Sequence, residues 1–152
     1  MKIVRVEPFH VDWGTGRSRS AWVRIWTDAD VHGLGEASPM VHGNASLEII
    51  ASAFTPDLLG ADPLEPRVIQ DRLFHQHIKV GPEGAYAGAL AAVDIALWDL
   101  RGKVLGQPVW NSSGAPGGAS SPSTRPSAAT ASAAWTRCAA WSRSGSSSGP
   151  PR

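Results

Sequence analysis

The sequence predicts an α+β domain in which a three-stranded antiparallel meander is followed by three helices. Alternating apolar and polar residues dominate the first part of the chain, and apolar residues at helical spacing dominate the part that follows. A change of composition after Trp110 limits this domain to residues 1–110. Residues 111–152 are predicted to be a disordered tail, because 31 of these 42 residues are Ala, Ser, Pro or Gly.

The three strands are predicted over residues 2–11, 21–27 and 31–37. Each of these stretches alternates apolar with polar side chains, and Asp28-Ala29-Asp30 provides a turn between the second and the third. The link between the first two strands is polar and rich in glycine, which predicts an irregular loop.

The first two helices are marked by capping residues and prolines. Asn44 or Ser46 is expected to cap a helix that runs to about Phe54 and is ended by Pro56. A second helix is predicted from Pro66 to about residue 77, with one apolar face formed by Val68, Ile69, Leu73 and Phe74.

The third helix is the longest, beginning at Gly84 and stopping at Gly106 and Pro108. Its apolar stripe consists of Leu90, Val93, Leu97, Leu100 and Val104. Alanines and Gly88 give its first half a second, thin face, which would let another element approach closely. A long helix that is apolar on more than one side is expected to have two neighbours.

Charge divides the chain at the same place as composition. All 13 acidic residues and all 5 histidines lie at or before Asp99, whereas residues 111–152 carry only four arginines. So sparse a positive charge argues against nucleic-acid binding. The start of the chain alternates like a strand and no stretch is apolar enough to span a membrane, so we expect a cytoplasmic protein without membrane contact. The single cysteine, Cys138, allows no internal disulfide.

Three motifs carry a resemblance to a known family. They are VHGLGEAS at 31–38, LLGADP at 58–63 and above all AVDIALWDLRGKVLGQPVW at 92–110. Together they resemble the N-terminal capping domain of the mandelate racemase/muconate lactonizing branch of the enolase superfamily. The resemblance implies an enzyme in which this cap precedes a (β/α)7β barrel, where carboxylates hold Mg²⁺ and a Lys or His base removes the proton α to a substrate carboxylate.

The resemblance also implies that two loops of the cap close over the barrel and select the substrate. In this sequence they correspond to residues 10–20 and 39–44, and the candidate specificity residues are Trp13, Arg17, Arg19, Val41 and His42. The arginines could pair with a substrate carboxylate, or the loop could simply be solvated. Trp13 could pack over the substrate or be an ordinary loop aromatic.

The residues after Trp110 depart from the family pattern. A barrel of this class needs on the order of 200 residues, and residues 111–152 show neither a βα repeat nor a carboxylate for Mg²⁺. We therefore expect the barrel to be absent, no catalytic or metal-binding residue in this chain, and Mg²⁺ only in the intact family. If GC-rich codons are chosen for Ser112 onward and read one base earlier, the segment can be re-read as Leu-Leu-Gly-Gly-Ala-Trp-Arg-Arg-Glu-Leu, which suggests a frameshift near Asn111.

Other polar residues have plain structural explanations. Glu36 ends a strand and is expected to accept a hydrogen bond instead of acting as a base. His75 and His77 are two apart on a helix and face different ways, so they are not a metal pair. Asp94 and Asp99 are five apart on the long helix and are expected to pair with Lys103 or to cap loops.

Three functional hypotheses follow. The chain is a truncated, inactive cap derived from an acid-sugar dehydratase, racemase or cycloisomerase; or it acts in trans with a separate barrel; or it is a small anion-binding domain. We favour the first. A cap without its barrel leaves apolar surface exposed, so we also expect self-association through that surface.

Overall fold

Strands precede helices throughout the computed structural model, which describes residues 1–12, 19–38, 43–81 and 83–113 and the side chains of all of these except Arg19 and Val80. The strands are β1 (Ile3–Asp12), β2 (Arg19–Thr27) and β3 (His32–Ala37). The helices are α1 (Gly43–Ile49), a π-helical turn (Ile50–Phe54), α2 (Thr55–Leu58), α3 (Pro66–Gln76), a 3-10 turn (Ile78–Val80), α4 (Gly84–Leu105) and α5 (Val109–Ser112). The predicted α+β order is confirmed.

The sheet is a meander with the order β1-β2-β3, and both neighbouring pairs are antiparallel. Asp30 adopts a positive φ of 57° in the turn between β2 and β3, and the Thr27 hydroxyl donates to the Val31 carbonyl at 2.9 Å. Ala21, Val23 and Ile25 point to one face and are almost fully buried. The strand alternation in the sequence therefore identified the face that the helices cover.

Helix α4 packs directly on β3 through small residues. A Cβ atom at Gly35 would overlap the carbonyl oxygen of Ala92, and one at Gly33 would overlap that of Ala96. Ala92 and Ala96 are themselves fully buried. The thin alanine face predicted for the long helix is thus the face that meets the sheet.

Polar side chains of α4 cover the open edge of β3. The Leu34 amide donates to Asp99 Oδ2 at 2.9 Å, and Lys103 Nζ donates to the His32 carbonyl at 3.0 Å. Lys103 Nζ also lies 2.6 Å from Asp99 Oδ2. The predicted pairing of Asp99 with Lys103 is confirmed. The two side chains also form hydrogen bonds with backbone groups of β3 that would otherwise have no partner at the edge of the sheet.

The core lies between the sheet and the helices. Its largest fully buried side chains include Phe54, Ile3, Ile25, Ile50, Leu58, Leu73, Leu97 and Leu100. The Tyr86 ring meets Phe54 edge-on with 5.5 Å between ring centroids, and its hydroxyl donates to the Leu73 carbonyl at 2.9 Å. This contact fixes α4 against α3.

The expected helix end at Pro56 is wrong. The helix passes through Pro56 to Leu58 because the π-helical turn immediately before it changes the hydrogen-bond pattern. The Thr55 amide and hydroxyl both donate to the Ile50 carbonyl, five residues earlier. The wider turn accommodates a proline ring that would clash in a regular α-helix.

The proposed cap at Asn44 or Ser46 is also wrong, since both residues lie within α1. Helix α1 already includes Gly43, and Ser46 is buried within it. Its hydroxyl donates to the Ala85 carbonyl at 2.9 Å and so joins α1 to the first turn of α4.

Two residues of the predicted apolar stripes are on the surface. Val68 on α3 is 61% exposed and Val104 on α4 is 36% exposed, whereas Ile69, Leu73, Val93 and Leu97 are buried as expected. Helix α4 ends at Gly106, whose φ of 62° is left-handed, as a C-terminal glycine predicts. Helix α5 then extends regular structure past Trp110 to Ser112. No helix among the described residues has the length and apolarity to cross a bilayer.

Candidate functional site

The two predicted specificity segments connect to the sheet at the same end of its strands. Asp12 at the end of β1 pairs with Arg19 at the start of β2, so the chain that joins them begins and ends there. Ala37 at the end of β3 pairs with Ala21, two residues from Arg19. We call the positions Asp12, Arg19, Ala37 and Gly43 the loop edge.

The first turns of α1 and α4 lie beside the loop edge. A Cβ atom at Gly43 would be 3.4 Å from Cβ of Ala21. At Gly88 it would be 3.0 Å from Ser46 Oγ and 4.0 Å from the Ser38 amide nitrogen. Ser38 and Gly43, which flank segment 39–42, therefore lie close to α4 and β2, and the hydrogen bond from Ser46 to the Ala85 carbonyl joins α1 to α4.

Four of the five specificity residues lie outside the described residues. These are Trp13, Arg17, Val41 and His42. Arg19 begins β2 opposite Asp12, but its side chain is also outside the described part. Their role in substrate selection therefore stays a prediction.

The sheet face opposite the helices carries a network of aromatic and charged side chains. Glu7 accepts from Trp26 Nε1 at 2.8 Å and pairs with Arg5 at 3.1 Å. The Arg24 guanidinium lies 5.3 Å from the centroid of the Phe9 ring. These contacts pair the charges with one another and with aromatic faces, which is typical of a stabilised sheet surface.

Glu36 lies on this same face, paired across the strands with Trp22. The Trp22 indole donates to Ser20 Oγ at 2.7 Å. Glu36 is half-buried near the loop edge. The expectation that Glu36 accepts a hydrogen bond instead of acting as a base stays a prediction.

The described residues do not fit a magnesium site. Residues 1–12, 19–38, 43–81 and 83–113 contain no group of three His, Cys, Asp or Glu side chains that could hold a metal ion. His75 Nδ1 lies 3.4 Å from Asp71 Oδ1, and His77 Nε2 lies 2.9 Å from Asp57 Oδ2. The two histidines have separate partners, as their spacing predicted.

Burial shifts three titratable groups, and each shift has a local cause. Burial lowers the pKa of His32, and the nearby Lys103 and Arg24 charges lower it further. Burial raises the pKa of Tyr86, whose hydroxyl is used in packing. Burial also raises the pKa of Asp94, and a hydrogen bond with Trp98 partly opposes that shift.

Asp94 is the polar residue that sequence reasoning misjudged. It was expected to pair with Lys103 or to cap a loop, but its Oδ1 atom is buried without a hydrogen-bond partner in the described part of the chain. Helical spacing separates Asp94 from Lys103 by nine residues, or two and a half turns, so the two cannot meet. The spacing alone would have excluded the pair.

The fold agrees with that of known proteins to which this chain is similar. Among solved structures, a mandelate racemase/muconate lactonizing protein from Paracoccus denitrificans, complexed with magnesium, is 48% identical with a TM-score of 0.70. The alignment covers 74% of this chain and 30% of that one. The 3,6-anhydro-D-galactonate cycloisomerase from Zobellia galactanivorans is 27% identical with a TM-score of 0.64, over 69% of this chain and 29% of that one.

A curated relative gives the same picture. The D-galactonate dehydratase of Variovorax paradoxus is 33% identical over 116 residues, which is 75% of this chain and 28% of that protein. The chain thus spans less than a third of the length of each of these three relatives. Residues 2–114 match the family model described as "Mandelate racemase / muconate lactonizing enzyme, N-terminal domain". This chain therefore belongs to the mandelate racemase/muconate lactonizing enzyme family, and its described residues form that family's N-terminal domain.

Proposed function

We propose that this chain supplies the substrate-selecting cap of a magnesium-dependent enzyme that acts on sugar acids, and that the chain is not catalytic by itself. The observation that carries the proposal is the loop edge, where segments 13–18 and 39–42 both start and end on one side of a rigid domain. Connecting segments positioned by a folded scaffold are where binding residues concentrate.

The names of the relatives support the substrate class. One is a D-galactonate dehydratase and another a 3,6-anhydro-D-galactonate cycloisomerase, and both names contain a sugar carboxylate. Arg17 and Arg19 belong to or adjoin segment 13–18, and a guanidinium recognises a carboxylate by two parallel hydrogen bonds. We propose that these arginines and His42 contact the acid.

The chemistry assigned to the cap is binding and exclusion of water. The described residues offer no site for Mg²⁺, so no proton-transfer step is assigned to them. In this proposal the metal and the base come from the domain that completes the enzyme.

A turnover assay of the purified chain tests the proposal that the chain is not catalytic by itself. With Mg²⁺ and a panel of sugar acids that includes D-galactonate, we expect no dehydration, racemisation or cyclisation above the buffer rate. Mg²⁺-dependent turnover that co-purifies with the chain through two columns would show the proposal to be wrong.

A loop transplant tests substrate selection. Segments 13–18 and 39–42 would replace the corresponding connections in the Variovorax paradoxus D-galactonate dehydratase. We expect kcat/KM for different sugar acids to change by different factors, while the dependence on Mg²⁺ concentration stays the same. An unchanged order of substrates would contradict a selecting role. A transplant of the turn 28–30, at the opposite end of β2, is the matched control.

A further inference from the structure

The sheet has two edges, and side chains of α4 bond to the backbone of the one at β3. The other edge is β1, which has ten residues and is the longest of the three strands. Its first residue is bonded on the side away from β2. The Ile3 amide donates to the Ala61 carbonyl at 3.0 Å, and the Gly60 amide donates to the Ile3 carbonyl at 2.9 Å. The part of this edge that can meet another molecule therefore begins after Ile3.

Pro8 lies in the middle of β1 and indicates where the backbone groups around it point. It pairs with Val23 of β2, and the antiparallel register passes through this pair without a shift. In such a ladder, alternate residues bond to the neighbouring strand, and the residues between them direct their N–H and C=O groups the other way. Because proline has no N–H, it fits an edge strand at a position that points away from the neighbour. Pro8 therefore points away from β2.

The same alternation places Val6 and His10 with Pro8. We call the outward backbone groups of Val6, Pro8 and His10 the free edge. His10 is exposed, and Val6 and Pro8 are half-buried. A strand added at the free edge would find N–H donors at Val6 and His10 but none between them, and the proline ring would occupy the space of the central hydrogen bond. Pro8 thus interrupts the free edge at its centre.

We infer that Pro8 keeps β1 from pairing with β1 of a second copy of this chain. The free edge would otherwise fit that partner, because two identical strands related by a twofold axis present the same donors and acceptors to each other. In the antiparallel register centred on position 8, Val6 of one copy would face His10 of the other. Each of these pairs could exchange two hydrogen bonds, whereas the two prolines at the centre could exchange none.

Pro8→Val in the full chain tests this inference. The substitution restores the missing N–H and introduces a residue that favours strands. We expect sedimentation velocity at about 10–100 μM to show a dimer, with an association constant at least about 30-fold above that of the unchanged chain. In the dimer, the Val6 and His10 amides should exchange with deuterium at least about tenfold more slowly, because they become bonded across the new strand pair.

His10→Val is the matched control. It places the same side chain two residues further along β1 but adds no N–H donor. We expect it to associate within about twofold of the unchanged chain. Pro8→Thr restores the N–H with a more polar side chain, so it should dimerise like Pro8→Val. Thermal unfolding of the three variants would show that each remains folded.

Deuterium exchange at the free edge distinguishes this pairing from other contacts between copies. Association of the unchanged chain through its helices would be common to all variants and would not slow the Val6 and His10 amides. A Pro8→Val chain that associates no more than the unchanged chain would overturn the inference. Equal association of His10→Val and Pro8→Val would also overturn it, as would a Pro8→Val dimer whose Val6 and His10 amides exchange as fast as before.

Discussion

At Gly35 the fold leaves room for a hydrogen atom and nothing larger. A methyl group would meet the Ala92 carbonyl of α4, which is backbone and cannot rotate away. We expect Gly35→Ala to lower the free energy of unfolding by about 3 kcal/mol or more. Urea unfolding measures this loss.

Gly43→Ala provides the control for that substitution. Its added methyl would lie 3.4 Å from Cβ of Ala21, an ordinary contact, so the change should stay within about 0.5 kcal/mol. A loss at Gly35 no larger than the loss at Gly43 would mean that β3 and α4 accommodate the added methyl group.

Asp94 should make the stability of the free chain depend on pH. Burial raises its pKa in the folded state above the ordinary carboxyl value, so the folded chain binds more protons than the unfolded chain between these two values. Its contribution is therefore most favourable below about pH 4 and is lost as the pH rises through the raised pKa.

Asp94→Asn removes this dependence. We expect the variant to be more stable than the unchanged chain at pH 7, with the difference vanishing near pH 4. Asp71→Asn, at a carboxylate whose side chain is 76% exposed, should produce no such trend. Parallel stability curves for Asp94→Asn and the unchanged chain between pH 4 and 7 would contradict the explanation by burial.

Among the elements, β3 depends most on a neighbour for its open edge. Asp99 accepts from the Leu34 amide and pairs with Lys103, which in turn donates to the His32 carbonyl. Asp99→Ala should cost about 2 kcal/mol, because it removes a charged acceptor from a backbone donor and from a half-buried ammonium group. Hydrogen exchange at the Leu34 amide should accelerate.

An exposed ion pair provides the comparison for Asp99. Asp71→Ala breaks a contact with His75 on the surface of α3 and should cost less than about 0.5 kcal/mol. If the Leu34 amide exchanges at the same rate in both variants, Asp99 does not protect the edge of β3.

The elements that depend on local pattern were predictable from the sequence. Alternation identified β1, β2 and β3 to within two residues at each end, and Gly106 marked the end of α4. The continuation of the helix through Pro56 was not predictable, because no local pattern distinguishes a π-helical turn from an α-helix. The exposure of Val68 depends on which elements pack on α3, and a single helix period does not reveal that.

The candidate site was predictable only in outline. Two irregular segments could be recognised by their glycines and polar residues, but their common edge depends on strand register. Oδ1 of Asp94 lacks a hydrogen-bond partner among the described residues because of the packing around α4, and no pattern in the sequence indicates this.

In the molecule as a whole, the family match ends close to the position at which the composition of the chain changes. The match covers residues 2–114, and the acidic residues and large aliphatic side chains stop before Asn111. We expect the gene to contain a one-base shift near codon 111, beyond which another frame encodes an amphipathic, carboxylate-containing sequence. Nucleotide sequencing through this region is the measurement. If no single-base change there opens such a frame, the frameshift hypothesis is wrong.

The π-helical turn at Ile50–Phe54 amounts to one additional residue accommodated within a helix. Such an insertion bulges outward at the exposed Ala51 and Ser52, so the residues before and after it keep their orientation toward the core. A homologue one residue shorter here would keep the same two buried faces on an uninterrupted α-helix. It would also have to replace the proline at position 56, because the narrower turn has no space for the ring. The length of this helix and the presence of that proline should therefore have changed together during evolution.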